Sequence, residues 1–422
     1  MFTRGRLTVS RWMVAMLSGS LMLAVGCGGG GGSNNGGGGS GGGGGTVANS
    51  VPIVVNSGPT GQATNTPFVS VTVCVPGTSN CQTVDNILVD TGSTGLRILK
   101  TALTLSLPQQ NGTTGNPLLE CAQFVSFSTW GPVQKADVKM AGEVASSIPM
   151  QVIGEAETGF ATIPDACKNV SVGFSDTLQS LQANGILGVG VFRQDCGSAC
   201  SATSNNPAFY FECPQSGCPT TQPAANVDIT QQVSNPVWMF SSDNNGVLIQ
   251  LPQIPADGSP SVSGTMVFGI GTQSNNGLNG ATVLPTASDG TITTTFANKA
   301  YSGSFIDSGS NGIFFLAATD QDVKNTGIVE CKDSQGNDTG FYCPPNTVNL
   351  SATNQGTTGS STVQFSVADA NNLPGSNFAF NDLGGDNAGS FDWGLGFFFG
   401  RNVFTAIEGQ STSGGTGPYF AY

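Results

Sequence analysis

"VDNILVDTGSTGLRIL" occupies residues 84–99, and "SGSFIDSGSNGIFFL" occupies residues 302–316. Aligned on Asp90 and Asp307, Val89 falls on Ile306 and Thr91 on Ser308. Gly92, Ser93, Gly95 and Leu99 fall on Gly309, Ser310, Gly312 and Leu316. Each copy is an apolar run, then Asp-Thr/Ser-Gly-Ser-x-Gly, then a second apolar run. One such triplet in a chain rich in Gly, Ser and Thr would mark a turn and no more. Two copies of the longer pattern are a different signal.

The sequence between the copies supports a duplication. About a hundred residues after Asp90 comes "NGILGVG" (184–190), and some ninety after Asp307 comes "DWGLGFFFG" (392–400). The order of parts is the same in both halves, which predicts two similar lobes that meet near residues 226–237. Between these landmarks the chain reads as β. Segments such as "TPFVSVTVCV", "CAQFVSFSTW", "GTMVFGIG", "GTITTTFA", "STVQFSV" and "NVFTAIEG" alternate apolar and polar residues and are rich in β-branched types. Gly, Asn, Ser and Pro clusters separate them. Only residues 175–182 and 319–330 carry helix-start signals. The expected fold class is mostly β.

Paired Asp-Thr/Ser-Gly motifs, each followed by an apolar-apolar-Gly segment, resemble the pepsin-like aspartic endopeptidases. "NGILGVG" is similar to the family's first-lobe "DGILGLG", and "DWGLGFFFGRNVFTAIE" to its closing "WILGDVFLRxYYTVFD". The resemblance covers residues 50–408, with the Cys-rich stretch 193–219 reading as an insertion. It implies a two-lobed fold with the active site in the cleft between lobes. It also implies peptide-bond hydrolysis by Asp90 and Asp307, with no covalent intermediate, metal or organic cofactor. The substrate would be an extended polypeptide, and the protein a monomer.

The residues make chemical sense of that implication. Two carboxylates can hydrolyse a peptide through one shared water if one is ionised, to take a proton, and the other protonated, to polarise the carbonyl. Held close, they cannot both ionise easily, as is established for the aspartic proteases. Gly92 and Gly309 allow a tight turn and close approach of backbone N–H groups. The hydroxyls of Thr91 and Ser308 can link the two turns beneath the pair, and those of Ser93 and Ser310 can donate to the carboxylates. The family closes its cleft with a hairpin flap bearing Tyr-Gly. Within residues 127–142 the counterpart is Trp130-Gly131, which is expected on the flap here.

Composition excludes the histidine-dependent chemistries and leaves a lipoprotein that binds peptide or envelope components without cleaving them as the alternative reading. The chain contains no His, which removes Ser-His-Asp triads, Cys-His dyads and His-ligated zinc. Its net charge of −13 disfavours nucleic acid and anionic lipid as partners. Few bases also means little self-repulsion when the carboxylates protonate in acid.

The N-terminus reads as targeting sequence. Arg4, Arg6 and Arg11 precede an apolar stretch at 12–25 that ends in "AVGC", the pattern of a signal peptide. "AVGC" is also similar to a bacterial lipobox, with Leu23 one place early and Cys27 as the lipid-bearing residue. Residues 28–45 hold 14 glycines among 18, a flexible tether with ends roughly 20–25 Å apart. The expected organisation is a signal peptide at 1–26, a lipidated Cys27 with tether at 27–45, and lobes at 46–235 and 236–422. The protein would be exported and held at a membrane through its anchor. The other ten cysteines form an even set, consistent with disulfides after export. Cys74–Cys81 and Cys331–Cys343 are the close pairs and Cys121–Cys167 a looser one. Cys196, Cys200, Cys213 and Cys218 fit neighbour and nested pairing equally.

Overall fold

The computed structural model describes residues 49–154, 159–202 and 206–422. The signal peptide, Cys27 and the glycine tether lie outside the described residues.

The strand Cys81–Asp90 shows how each motif is delivered. Its first half is largely exposed, and its last four residues, Ile87, Leu88, Val89 and Asp90, are buried. An apolar run that ends in Asp thus carries a carboxylate from the surface into the interior. The strand Lys299–Ile306 does the same for Asp307, with Tyr301, Ser304 and Ile306 turned inward. After each Asp the chain turns and returns as Thr94–Leu99 or as Ile313–Leu316.

The two glycine-containing segments complete identical three-strand units. Gly185–Val189 lies parallel to the first Asp strand, pairing Val89 with Leu187 and Asp90 with Gly188, and antiparallel to the return strand. Asn387–Trp393 lies parallel to the second Asp strand, pairing Phe305 with Asp392 and Ile306 with Trp393, and antiparallel to its return strand. Both units therefore have the order Asp strand, glycine segment, return strand. Sequence duplication has become structural duplication.

The molecule is mostly β and two-lobed, as the resemblance implies. A 14-stranded sheet crosses between the halves. There, Ser50–Val55 pairs antiparallel with Val262–Phe268, from Ser50↔Val267 to Val55↔Val262. A nine-stranded sheet belongs to the second half alone. Its interior is aromatic: Phe391 stacks on Phe315 and Trp393, and the Trp393 indole donates to Thr294 Oγ1 at 3.1 Å. Phe397, Phe398 and Phe399 are all buried, so the "FFF" run is core. The expected helices shrink to the single turns Leu178–Leu181 and Gln321–Lys324. Among the described residues no helix is long and apolar enough to cross a membrane.

Five disulfides close the set of ten cysteines: Cys74–Cys81, Cys121–Cys167, Cys196–Cys200, Cys213–Cys218 and Cys331–Cys343. Neighbour pairing holds throughout 196–218. The Cys-rich stretch contributes a short strand, Tyr210–Glu212, that pairs with Leu118–Gln123 and braces the hairpin described next.

Two expectations about that hairpin are corrected. "CAQFVSFSTW" does not run as one strand. It divides into the strands Leu118–Gln123 and Ser128–Met140 around a turn at 124–127. Phe124 N donates to Phe127 O at 2.9 Å and the two rings stack at 4.5 Å. Trp130 and Gly131, expected on the flap, sit in its stem. Trp130 is 3% exposed, edge-on to Phe211 and opposite Cys121 across the hairpin. Its indole N–H donates to Phe160 O at 2.8 Å, so the ring fills a core and its one polar atom is satisfied there. A Cβ at position 131 would lie 1.9 Å from Val152 O. Gly131 is required for that close strand contact and has no part in a moving tip.

Candidate active site

The two turns face each other and share their hydrogen bonds across the lobe boundary. Thr91 N donates to Ser308 Oγ at 3.1 Å, and Ser308 N donates to Thr91 Oγ1 at 2.9 Å. Each hydroxyl then donates to the opposite Asp strand: Thr91 Oγ1 to Ile306 O at 3.1 Å, and Ser308 Oγ to Val89 O at 2.8 Å. Thr91 and Ser308 are almost fully buried. Four reciprocal hydrogen bonds in a buried place lock the two turns into one unit.

Above this lock sit the carboxyls. Asp90 accepts from Gly92 N at 2.8 Å and Ser93 N at 3.1 Å through Oδ1, and from Ser93 Oγ at 2.5 Å through Oδ2. Asp307 accepts from Gly309 N at 2.7 Å through Oδ1 and from Ser310 Oγ at 2.9 Å through Oδ2. Gly92 N also reaches Asp307 Oδ1 at 3.1 Å, so one amide bridges both carboxyls. The glycines are required by proximity. A Cβ on Gly92 would lie 2.5 Å from Asp307 Cγ, and one on Gly309 would lie 2.7 Å from Asp90 Cγ. Each turn leaves room for the other's carboxylate.

The electrostatics follow from this packing. Asp90 is 6% and Asp307 8% exposed. Burial, then the negative charge of Asp90, then that of Asp392, push the Asp307 carboxyl well above the usual carboxylate range. Among the described residues no Lys or Arg forms an ion pair with either Asp.

A cleft of about 310 Å³ opens over the pair. The hairpin tip supplies Phe124, Val125 and Phe127 on one side, and Phe192 and Phe305 stand on others. Val125 at the tip is 71% exposed. The tip at 124–127 therefore occupies the place expected for Trp130. Phe124, Val125 and Phe127 are apolar and carry no turn signal such as Gly, Pro or Asn, which hid the turn.

Two further features escaped sequence reading. Asp392, within "FDWGLG", lies 2.6 Å from Ser310 Oγ and so touches the site. An Asp set between two large aromatics, Phe391 and Trp393, was the available signal. The second feature lies behind the hairpin. There the Arg97 guanidinium contacts Glu120 at 2.5 Å and Asp195 at 3.1 Å, all three almost fully buried, while Tyr210 donates to Asp195 at 2.6 Å. Arg97 also lies 5.5 Å from the Phe124 ring, which ties the cluster to the hairpin tip. Glu120 and Asp195 stand 23 and 98 residues from Arg97, too far for local spacing to reveal.

Fold and site together define a two-lobed β protein with one carboxyl pair contributed jointly by its halves. The chain belongs to the family described as "Protein of unknown function (DUF3443)", whose model matches residues 45–422. No curated protein matches the chain. Among solved structures it is similar to the aspartic proteinase from Irpex lacteus, at 16% identity and a TM-score of 0.47, over 88% of this chain and 96% of that one.

Proposed function

We propose that the protein is an aspartic endopeptidase in which Asp90 and Asp307 activate a water for attack on a peptide carbonyl. The observation that carries this reading is the Gly92 amide, which donates to both carboxyls at 2.8 and 3.1 Å. Side chains from turns 217 residues apart thereby share one small volume. Two buried carboxyls without a cation partner retain one proton between them over a broad pH range. The ionised member takes a proton from water. The protonated member donates to the scissile carbonyl and later to the leaving amine. No covalent intermediate is needed.

The apolar walls of the cleft suit an extended polypeptide, held partly as a strand along the hairpin edge. The protein acts as a monomer, exported and anchored through a lipid on Cys27, with the 28–45 tether holding the lobes off the membrane. Intact-mass analysis of the mature protein tests the anchor: acylated Cys27 is expected, and an unlipidated form beginning elsewhere would contradict it.

The activity is tested by digestion of an unfolded polypeptide across about pH 2–8, with and without a statine-type transition-state mimic. Cleavage abolished by the mimic is expected. Tight binding of the mimic or of peptide with no cleavage at any pH would instead assign a peptide-binding role to the same cleft.

A further inference from the structure

Ser310 has one hydroxyl proton and two carboxylate oxygens to serve. Its Oγ lies 2.9 Å from Asp307 Oδ2 and 2.6 Å from Asp392 Oδ2. The proton can be given to only one of them. With both carboxyls ionised, the remaining contact would press two lone pairs together at hydrogen-bond distance. A second proton therefore belongs to the chain Asp392–Ser310–Asp307.

The distribution of donors decides where that proton sits. Asp307 Oδ1 accepts from two backbone amides. Asp392 Oδ1 is buried and has no hydrogen-bond partner among the described residues. An ionised Asp392, 5% exposed, would be a buried charge stabilised by a single hydroxyl, a costly arrangement. The neighbouring strands offer no relief: they set Phe305 and Phe314 beside it. The charged groups that bear on it are Asp90 and, through Ser310, Asp307, both of its own sign. Among the described residues no Lys or Arg pairs with it. Burial first, then the charge of Asp90, raise its carboxyl to about 8 against the opposing Ser310 bond.

We propose that Asp392 is a third carboxyl of the site, a positioning residue that keeps its proton, donates it to Ser310 Oγ and so turns the Ser310 hydroxyl onto the outer oxygen of Asp307. The proposal rests on the reading of Asp90 and Asp307 as a hydrolytic pair. It adds a mode of pH control to that pair. When Asp392 ionises, its carboxylate draws the Ser310 proton to itself, Asp307 Oδ2 loses its donor, and another negative charge joins the site. No bond to substrate forms or breaks in this step; one proton leaves to solvent and one hydroxyl reorients.

The full-length protein is compared with D392N and D392L. The Asn amide can donate to Ser310 as the acid does and cannot ionise; Leu can do neither. Infrared difference spectra between about pH 6 and pH 10, which bracket the Asp392 transition, should show a protonated-carboxyl C=O band in the wild type that D392N lacks. In peptide hydrolysis, D392N should move the alkaline limb of kcat up by about one pH unit. D392L should lose roughly tenfold in kcat with KM unchanged, the effect of one missing hydrogen bond in the transition state.

Infrared spectra of D392N that superimpose on the wild type would overturn the proposal whether or not the protein cleaves peptide. So would a D392L protein with wild-type kcat and pH profile. If the wild type cleaves nothing yet shows the band that D392N lacks, the hydrolytic reading falls and the proton on Asp392 stands. The two failures are therefore distinguishable.

Discussion

Set beside each other, the two Asp turns share the reciprocal Thr91–Ser308 bonds and a serine on each carboxylate, and they differ in what packs against them at one buried position. In the first half Ile186 pairs with Leu88, two residues before Asp90; in the second Asp392 pairs with Phe305, two residues before Asp307. Ile186 is fully buried in an apolar cluster with Leu88 and Phe68. Asp392 instead reaches a hydroxyl of the turn itself. Ser93 therefore serves Asp90 alone, while Ser310 stands between two carboxyls. Duplication supplies two equivalent carboxyls, and hydrolysis needs one of them ionised and the other protonated. A single substitution on one side of the pseudo-symmetry is a physical means of making them unequal.

The symmetric part of this comparison is broken most severely at the glycines. Gly92→Ala and Gly309→Ala should each reduce kcat/KM by roughly 10²–10⁴-fold, because each methyl displaces the opposite carboxylate. Steady-state kinetics on the folded variants reads this directly. A tolerant alanine at either position would show that the turns do not share one volume.

The hairpin separates stability from turnover. Trp130→Ala should cost about 3–5 kcal/mol in denaturant unfolding, as truncation of a buried aromatic does. Phe124→Ala, at the half-buried tip, should leave stability within about 1 kcal/mol of wild type and raise KM instead. The reverse pattern would return the flap role to Trp130.

A smaller and pH-dependent effect distinguishes Asp392 from Ile186. The folded-state carboxyl of Asp392 is raised to about 8, above its unfolded value. Its contribution to stability is therefore fully present in acid, below the unfolded value, and is lost as pH rises toward about 8. Relative to the wild type, D392N should gain stability progressively between about pH 4 and pH 8, with no further gain above. Ile186→Val, with nothing to titrate, should cost about 0.5–1.5 kcal/mol equally at every pH. Urea midpoints at a series of pH values would measure both.

How much of this could be read from sequence depended on the range of the interaction. The Asp turns, their Thr, Gly and Ser partners and the glycine segments were legible because each is a short string written twice. The mostly β class followed from alternation, and the disulfides Cys74–Cys81 and Cys331–Cys343 from close spacing. The pairings within 196–218 stayed open because four close cysteines satisfy several geometries. The hairpin tip was hidden because Phe124, Val125 and Phe127 are apolar and no Gly, Pro or Asn marks the turn. Trp130 was drawn to the flap by its Trp-Gly dipeptide, yet Gly131 is explained by its closeness to Val152 O, a contact across strands. The Arg97 cluster and the Asp392–Ser310 contact join residues tens of positions apart, where no period or motif reports.

The central claim is that one carboxyl from each half forms a single hydrolytic pair. It is tested most directly by digesting an unfolded polypeptide with the wild type, Asp90→Asn, Asp307→Asn and the double variant, each first shown to be folded. Each single variant should lose roughly 10²–10⁴-fold or more in kcat/KM, and the double variant no more than either single, because the two groups act as one unit. Wild-type turnover in either folded single variant, or losses that multiply in the double, would contradict it.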